Sequence, residues 1–365
     1  MILLHEVALF LIPRIGNINF KILIKHCGSA EEVFRTPKGK LLKIQGIGEQ
    51  TASSIQKKNT FDEAIKIIKK AENENCQILY FMNDNFPKRL RKHADSPVLL
   101  FYKGTANLNP KRSISIIGTR KITDNGIKTV RNITKKLTPF NVQIISGLAY
   151  GVDFNAHQQA LENNMETIGV MGSGMDIIYP STHKNIANQM VKKGGLLTEQ
   201  LFGTPPNGPN FPARNRIIAS MSDAVIVVEA AVKGGALITA RIANSYNIEV
   251  LACPGRITDP FNSGCNLLIE NHEAHIYNSI TSLINLLNWD DEKINSAKQT
   301  KIDLTSFTED EQQLLKALQK HNKLTKDEIV KSTDLGFHQI PQILLKLELE
   351  DVITVKTGGL FALRD

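Results

Sequence analysis

Between about residues 80 and 288 the chain alternates short, unbroken apolar runs with amphipathic stretches. The runs are SISII (113–117), VQIIS (142–146), ETIGVM (166–171), GLLTE (195–199), AVIVVE (224–229) and IEVLA (248–252). Between them, 124–137, 152–163, 182–193, 213–222 and 235–246 place apolar residues at helical spacing. Short continuous runs suit strands buried on both faces, and the amphipathic stretches suit the helices that cover them. The pattern predicts an α/β fold: a mostly parallel, Rossmann-like sheet with helices on both sides.

The flanks follow other rhythms. Residues 1–75 alternate short helical patterns with glycine turns, ending in TFDEAIKIIKKAENEN. Within them LIPRIGNINFKIL (11–23) and KIQGIGEQTASSI (43–55) align at a spacing of 32. Each sets Ile-Gly before a helix, leaving helix-start N–H groups free to meet a phosphate. Gly46-Ile47-Gly48 fits such a turn, whereas the first copy has Arg14 in place of its first glycine. The pair resembles a degenerate helix-hairpin-helix (or SAM-like) domain, although tight packing in a small helical bundle accounts for the same glycines. WDDEKINSAKQTKIDLTS (289–306) is polar without apolar period and reads as a linker. Residues 307–365 give helix, helix, helix and a hairpin around Gly358-Gly359, the order of a winged helix.

A chain of 365 residues exceeds one ordinary core, so more than one domain is expected. Its net charge of +8 admits a polyanionic partner without requiring one. Cys27, Cys76, Cys253 and Cys265 lack metal-site or redox spacing and read as free thiols in a reducing compartment. The apolar start ILLHEVALFLIPRIG is interrupted by His5 and Glu6, and fits neither a secretory signal nor a membrane span. A cytoplasmic protein is the expectation.

The chemistry gathers where strands end. There the sequence sets Gly118-Thr119-Arg120, then Ser146-Gly147 through Gly151, then Gly172-Ser173-Gly174, and after Glu229 the turn Lys233-Gly234-Gly235. In a parallel sheet these turns share one rim, where ligands bind. Any one is ordinary strand–helix geometry; together they point to an anion. No G-x-x-x-x-G-K-[ST] and no G-x-G-x-x-G follows a strand, so neither a P-loop nucleotide nor a dinucleotide cofactor is supported. Arg120 offers a bidentate fork for phosphate. FPARNRIIA (211–219) adds Arg214, Asn215 and Arg216, with Phe211 as a face for a base. Phosphates with exposed bases describe a single-stranded nucleic acid.

No catalytic or metal constellation stands out. Asp153 and His157 lie four apart on one helix, where Asp153 suits the helix dipole and His157 a surface position. Glu199 and Glu229 end strands, where carboxylates can anchor loop amides or pair with Arg214 and Arg216.

SIIGTR (115–120), SGLAYGVD (146–153), MGSGMDIIYPSTHKNIA (171–187), FPARNRIIASMSDAVIVVEA (211–230), GGALITARIA (234–243) and CPGR (253–256) occur in this order. Across about 80–280 the chain thereby resembles the DNA-processing protein A family (DprA, also called Smf). The resemblance implies an extended Rossmann-like domain that binds single-stranded DNA, dimerises and helps load a RecA-type recombinase during natural transformation, without enzymatic activity or cofactor. It places the phosphate-binding turn at Gly118-Thr119-Arg120, a second turn at Ser146 to Asp153, and the F-x-x-R-N motif at Phe211, Arg214 and Asn215. Tyr150 stands where many relatives carry arginine, which exchanges a charge contact for stacking. The implied winged helix has His338, Gln339, Gln342 and Lys346 on its third helix beside Glu348 and Glu350, a poor phosphate footprint that favours protein contact. The rival is a nucleotide phosphoribohydrolase on a similar sheet, whose P-G-G-x-G-T-x-x-E is matched here only by KGGALITAR, without the glutamate. A third reading, a duplex-binding adaptor, would leave the middle inert.

Overall fold

The computed structural model describes residues 3–289 and, apart from 322, 351, 357 and 358, residues 307–363. The chain opens with α1 (Leu4–Phe10), α2 (Asn17–Cys27), α3 (Ala30–Arg35), α4 (Lys38–Leu41), α5 (Glu49–Lys57) and α6 (Phe61–Asn73). The two repeat copies start α2 and α5 through Gly16 and Gly48. Arg14 and Gly46 both have positive φ, 70° and 88°, so the arginine takes the left-handed conformation that glycine supplies in the second copy.

Then come β1 (Gln77–Tyr80), α7 (Lys88–Arg91), β2 (Leu99–Gly104) and β3 (Ser113–Ile117). Strand–helix alternation follows: α8 (Asp124–Leu137), β4 (Gln143–Gly147), α9 (Val152–Glu162), β5 (Thr167–Val170), α10 (Lys184–Lys193), β6 (Gly194–Thr198) and α11 (Asn210–Ser220). It ends with β7 (Ala224–Val227), α12 (Gly235–Ser245), β8 (Glu249–Ala252), α13 (Ser263–Glu270), β9 (His275–Ile276) and α14 (Ile280–Leu286).

The nine strands form one sheet in the order β1-β2-β6-β5-β4-β3-β7-β8-β9. All six strands expected from the sequence are present, as β3 to β8, and pair in parallel. Three strands were not foreseen: β9 at one edge, and β1 and β2 at the other, where β2 runs antiparallel to both β1 and β6. Alternate residues of β2 enter opposite cores. Leu99 and Phe101 pack with the N-terminal helices, Leu100 and Tyr102 with α11 and α12. Burial on both faces explains the unbroken apolar run.

Met1–Trp289 is a single compact unit. Val7, Phe20, Phe34 and Ile55 of the N-terminal helices share their core with Phe101, Leu148, Met171 and Met190 of the sheet and its helices. From β3 the chain steps outward through β4, β5 and β6, then returns past β3 to β7. α9 packs against α8 and α10 on one face of the sheet, and α11 against α12 on the other. A crevice opens at such a reversal, above the carboxyl ends of β3 and β7.

The second unit contains α15 (Glu309–His321), α16 (Lys326–Ser332), α17 (Ile340–Leu349) and the antiparallel hairpin β10 (Ile353–Lys356) and β11 (Leu360–Leu363). Thr325 and Glu328 form a capping box that starts α16. Leu314, Leu318, Ile329, Leu344, Leu347 and Phe361 make its core, in the expected winged-helix order. Residues 290–306 of the expected linker, and Gly358 of the expected turn, lie outside the described residues. No helix among the described residues is long and apolar enough to cross a membrane.

Candidate nucleic-acid interface

The turn after β3 is sewn into its surroundings by backbone bonds. Thr119 N–H donates to the Glu229 carbonyl at 2.6 Å, and the Thr119 carbonyl accepts from Val152 N–H at 3.1 Å. A side chain at Gly118 would strike Val152 and the Glu229 carbonyl, and Gly151, at φ 77°, lies against the Thr119 carbonyl. The Glu229 carboxylate accepts from Thr123 N–H at 3.0 Å and its hydroxyl at 2.5 Å, fixing the start of α8. The next residue after the turn's two fixed positions, Arg120, is exposed.

α11 brings the F-x-x-R-N residues to the same place. Phe211 lies under Arg120, whose guanidinium carbon is 5.6 Å from the ring centroid. The ring packs over Gly172, where a Cβ would sit 3.1 Å from it, and lies 5.9 Å from the ring of Tyr179. An open groove of about 550 Å³ is bordered by Gly118, Thr119, Arg120, Phe211, Asn215 and the turn Gly234-Gly235. A smaller cavity of about 90 Å³ adjoins it, walled by Tyr150, Gly172, Tyr179 and Phe211. Arg120, Phe211 and Arg214 border both.

Arg214 departs from the expected phosphate arm. It is only 6% exposed and forms the floor. Its Nη1 donates to the Val170 carbonyl and its Nε to Asn215 Oδ1 at 3.2 Å. Burial lowers the pKa of Arg214, and Asp153 opposes that shift. Burial raises the Asp153 pKa against the pull of Arg214 and an N–H bond from Ala149 at 3.3 Å. Each charge compensates the other in the interior, so removing one would strand its partner.

Arg216 leaves the groove altogether. It forms an ion pair with Glu199, with side-chain exposures of 15% and 13%, and borders a different cavity with Asn17 and Asp95. Ser146 and Gly147 are buried backing: the Ser146 hydroxyl donates to the Ile116 carbonyl at 2.6 Å, and Gly147 lies against Asp153 and Arg214. Gly174 bonds Thr204 and borders neither cavity. Lys233 is exposed on its turn but is not among the lining residues. His157, expected at the surface, is fully buried; its ring nitrogens meet the Gly147 carbonyl at 2.6 Å and the Thr167 hydroxyl at 2.7 Å. Burial pushes its pKa down to about 4. Tyr179, Ala230 and Ala231 are lining residues that the sequence reading did not select. Only Tyr179 left a signal, an aromatic within MDIIYPSTH (175–183). Among the described residues no cluster of three or more His, Cys, Asp or Glu could hold a metal ion.

Fold and crevice together define a doubly wound α/β protein with a glycine-bordered, arginine-bearing cleft at its switch point. The chain belongs to the DNA recombination-mediator protein A family, whose sequence profile matches residues 77–288. The profile of the DprA winged helix domain matches 296–359. Protein Smf of Synechocystis is 33% identical over 264 residues, 71% of this chain and 66% of its own length, so the match spans about two thirds of that relative. DNA processing protein DprA of Streptococcus pneumoniae is 39% identical over 189 residues, 52% of this chain and 67% of its own. The X-ray structure of the latter protein superposes with a TM-score of 0.68 at 30% identity, covering 77% of this chain and 96% of that one. A Helicobacter pylori DNA processing protein A, solved for its single-stranded DNA binding mode, gives 0.53 at 29%, covering 58% and 95%.

Proposed function

We propose that this chain binds single-stranded DNA in the groove, as a DNA-processing protein that protects incoming DNA in natural transformation. The observation that carries this reading is the meeting of an exposed Arg120, an aromatic Phe211 and the glycine turns Gly118-Thr119 and Gly234-Gly235 on one open cleft. Arg120 takes a phosphate, the N–H groups that open α12 after Gly234 take others, and Phe211 meets a base. Lys233 adds positive charge at the rim. Gly172 lets Phe211 lie flat, while Arg214 and Asn215 keep the floor polar. The Helicobacter pylori relative, described by its single-stranded DNA binding mode, supports the same ligand class.

In this reading the protein works as a homodimer and helps load a RecA-type recombinase, acting as a binding protein rather than an enzyme. The winged helix serves protein contact: Leu345 and Leu349 are exposed on α17, and Lys346 is engaged by Glu311 at 2.7 Å. Competition among single strands, duplex and nucleoside monophosphates at physiological salt tests the ligand class. Preference for single strands is expected. Tighter duplex binding would favour the adaptor reading, and release of free base from the monophosphates would revive the phosphoribohydrolase. Light scattering tests the dimer, and recombinase filament formation on strands coated with single-strand-binding protein tests loading.

A further inference from the structure

We propose that single-stranded DNA leaving the groove continues past Tyr150 into the cavity between α9 and α10, a second subsite that contacts bases without cations. This rests on the groove reading above and extends the track of the same strand.

The cavity, about 480 Å³, is lined by Phe154 and Gln158 of α9 and by Thr182, Asn185, Ile186 and Gln189 on and before α10. Aromatic contact leads to it from the groove. Tyr150 borders the smaller groove cavity and is 47% exposed. Its hydroxyl lies 3.2 Å from that of Thr182, and its ring meets His183 edge-on at 4.9 Å. His183 in turn lies 4.7 Å from Phe154. His183 is buried and its Nδ1 donates to the Leu148 carbonyl at 3.0 Å, so this central ring is held in place. Tyr150 and Phe154 therefore join two cavities through a fixed aromatic plate.

The polar groups point to bases rather than phosphates. α9 and α10 both begin at the end nearest Tyr150, where their helix dipoles favour an anion at the entrance. Further in, the ionisable side chain of the lining is Glu162, which repels phosphate. Among the described residues the exposed amides of Asn185 and Gln189 have no hydrogen-bond partner and can donate to or accept from base edges, while Phe154 offers a stacking face. The subsite should add affinity without adding to salt dependence.

Fluorescence anisotropy on the full chain with oligothymidylates of about five and about fifteen nucleotides tests this. The double variant Asn185→Ala/Gln189→Ala should bind the long strand about tenfold more weakly and the short one as before, with an unchanged salt slope on both. Tyr150→Ala should lose more on the long strand than on the short, and Tyr150→Phe should restore the difference if stacking, rather than the Thr182 contact, is what counts. Equal loss on both lengths, or none on either, would overturn the subsite. The groove reading falls separately, if Arg120→Ala binds the short strand like the wild type.

Discussion

Arg120 rests on Phe211, guanidinium carbon 5.6 Å from ring centroid, although one residue leaves β3 and the other opens α11. A cation and a stacking face thus share one position at the seam of two cavities. Arg120→Ala should weaken single-strand binding and flatten its log–log salt dependence by about one unit. Phe211→Leu should cost about 1–3 kcal/mol of binding with the slope unchanged. Anisotropy across a salt series reads both, and equal slopes for wild type and Arg120→Ala would remove the arginine from the interface.

Arg216→Gln should behave in the opposite way. The Glu199 carboxylate that it leaves behind is largely buried, with its pKa already raised by burial. A loss of about 3 kcal/mol in urea unfolding is expected, with an unchanged salt slope for single strands. A slope change as large as that of Arg120→Ala would return Arg216 to the ligand.

Gly151→Ala tests the turn. The position has φ 77°, and an added Cβ would collide with the Thr119 carbonyl that accepts from Val152 N–H. Strained backbone alone costs about 1–2 kcal/mol, and relief of the collision must move the turn that carries Arg120. Unfolding and binding measured on the same preparation should both suffer; full affinity in the folded fraction would show the turn to be irrelevant.

His157 predicts a pH dependence. A carbonyl only accepts, so Nε2 carries a proton toward Gly147, and burial, against the pull of that bond, favours the neutral ring. The unfolded imidazole titrates near 6.5, the folded one at about 4. Between these values the unfolded chain binds the extra proton, so the contribution is complete above about pH 6.5 and is lost as pH falls, by roughly 3 kcal/mol. Asp153, raised by burial, acts in the opposite sense. Comparing urea midpoints of wild type and His157→Asn from pH 7 to 4 isolates the imidazole; parallel curves would contradict its burial.

The six central strands were legible because burial on both faces writes a short unbroken apolar run between helices. β1 and β2 break that rhythm: they join antiparallel at the edge, separated from each other by the single short helix α7. At the site, Gly118, Thr119, Arg120, Gly172, Phe211, Arg214 and Asn215 do border the cavities. What sequence adjacency hid is direction. On a helix of 3.6 residues per turn, Arg214 and Arg216 point roughly 200° apart, so one reaches the groove floor and the other Glu199. Nor could spacing reveal that Arg214 is balanced by Asp153, which arrives from a different helix.

The shared core of the first seventy-odd residues and the sheet bears on how this protein can be cut. Leu148 and Met171, each beside the smaller cavity, count among the neighbours of the leading helices. Trimming the chain to its sheet would wet an oily flank directly behind Tyr150 and Gly172, and the fragment would tend to clump through that flank.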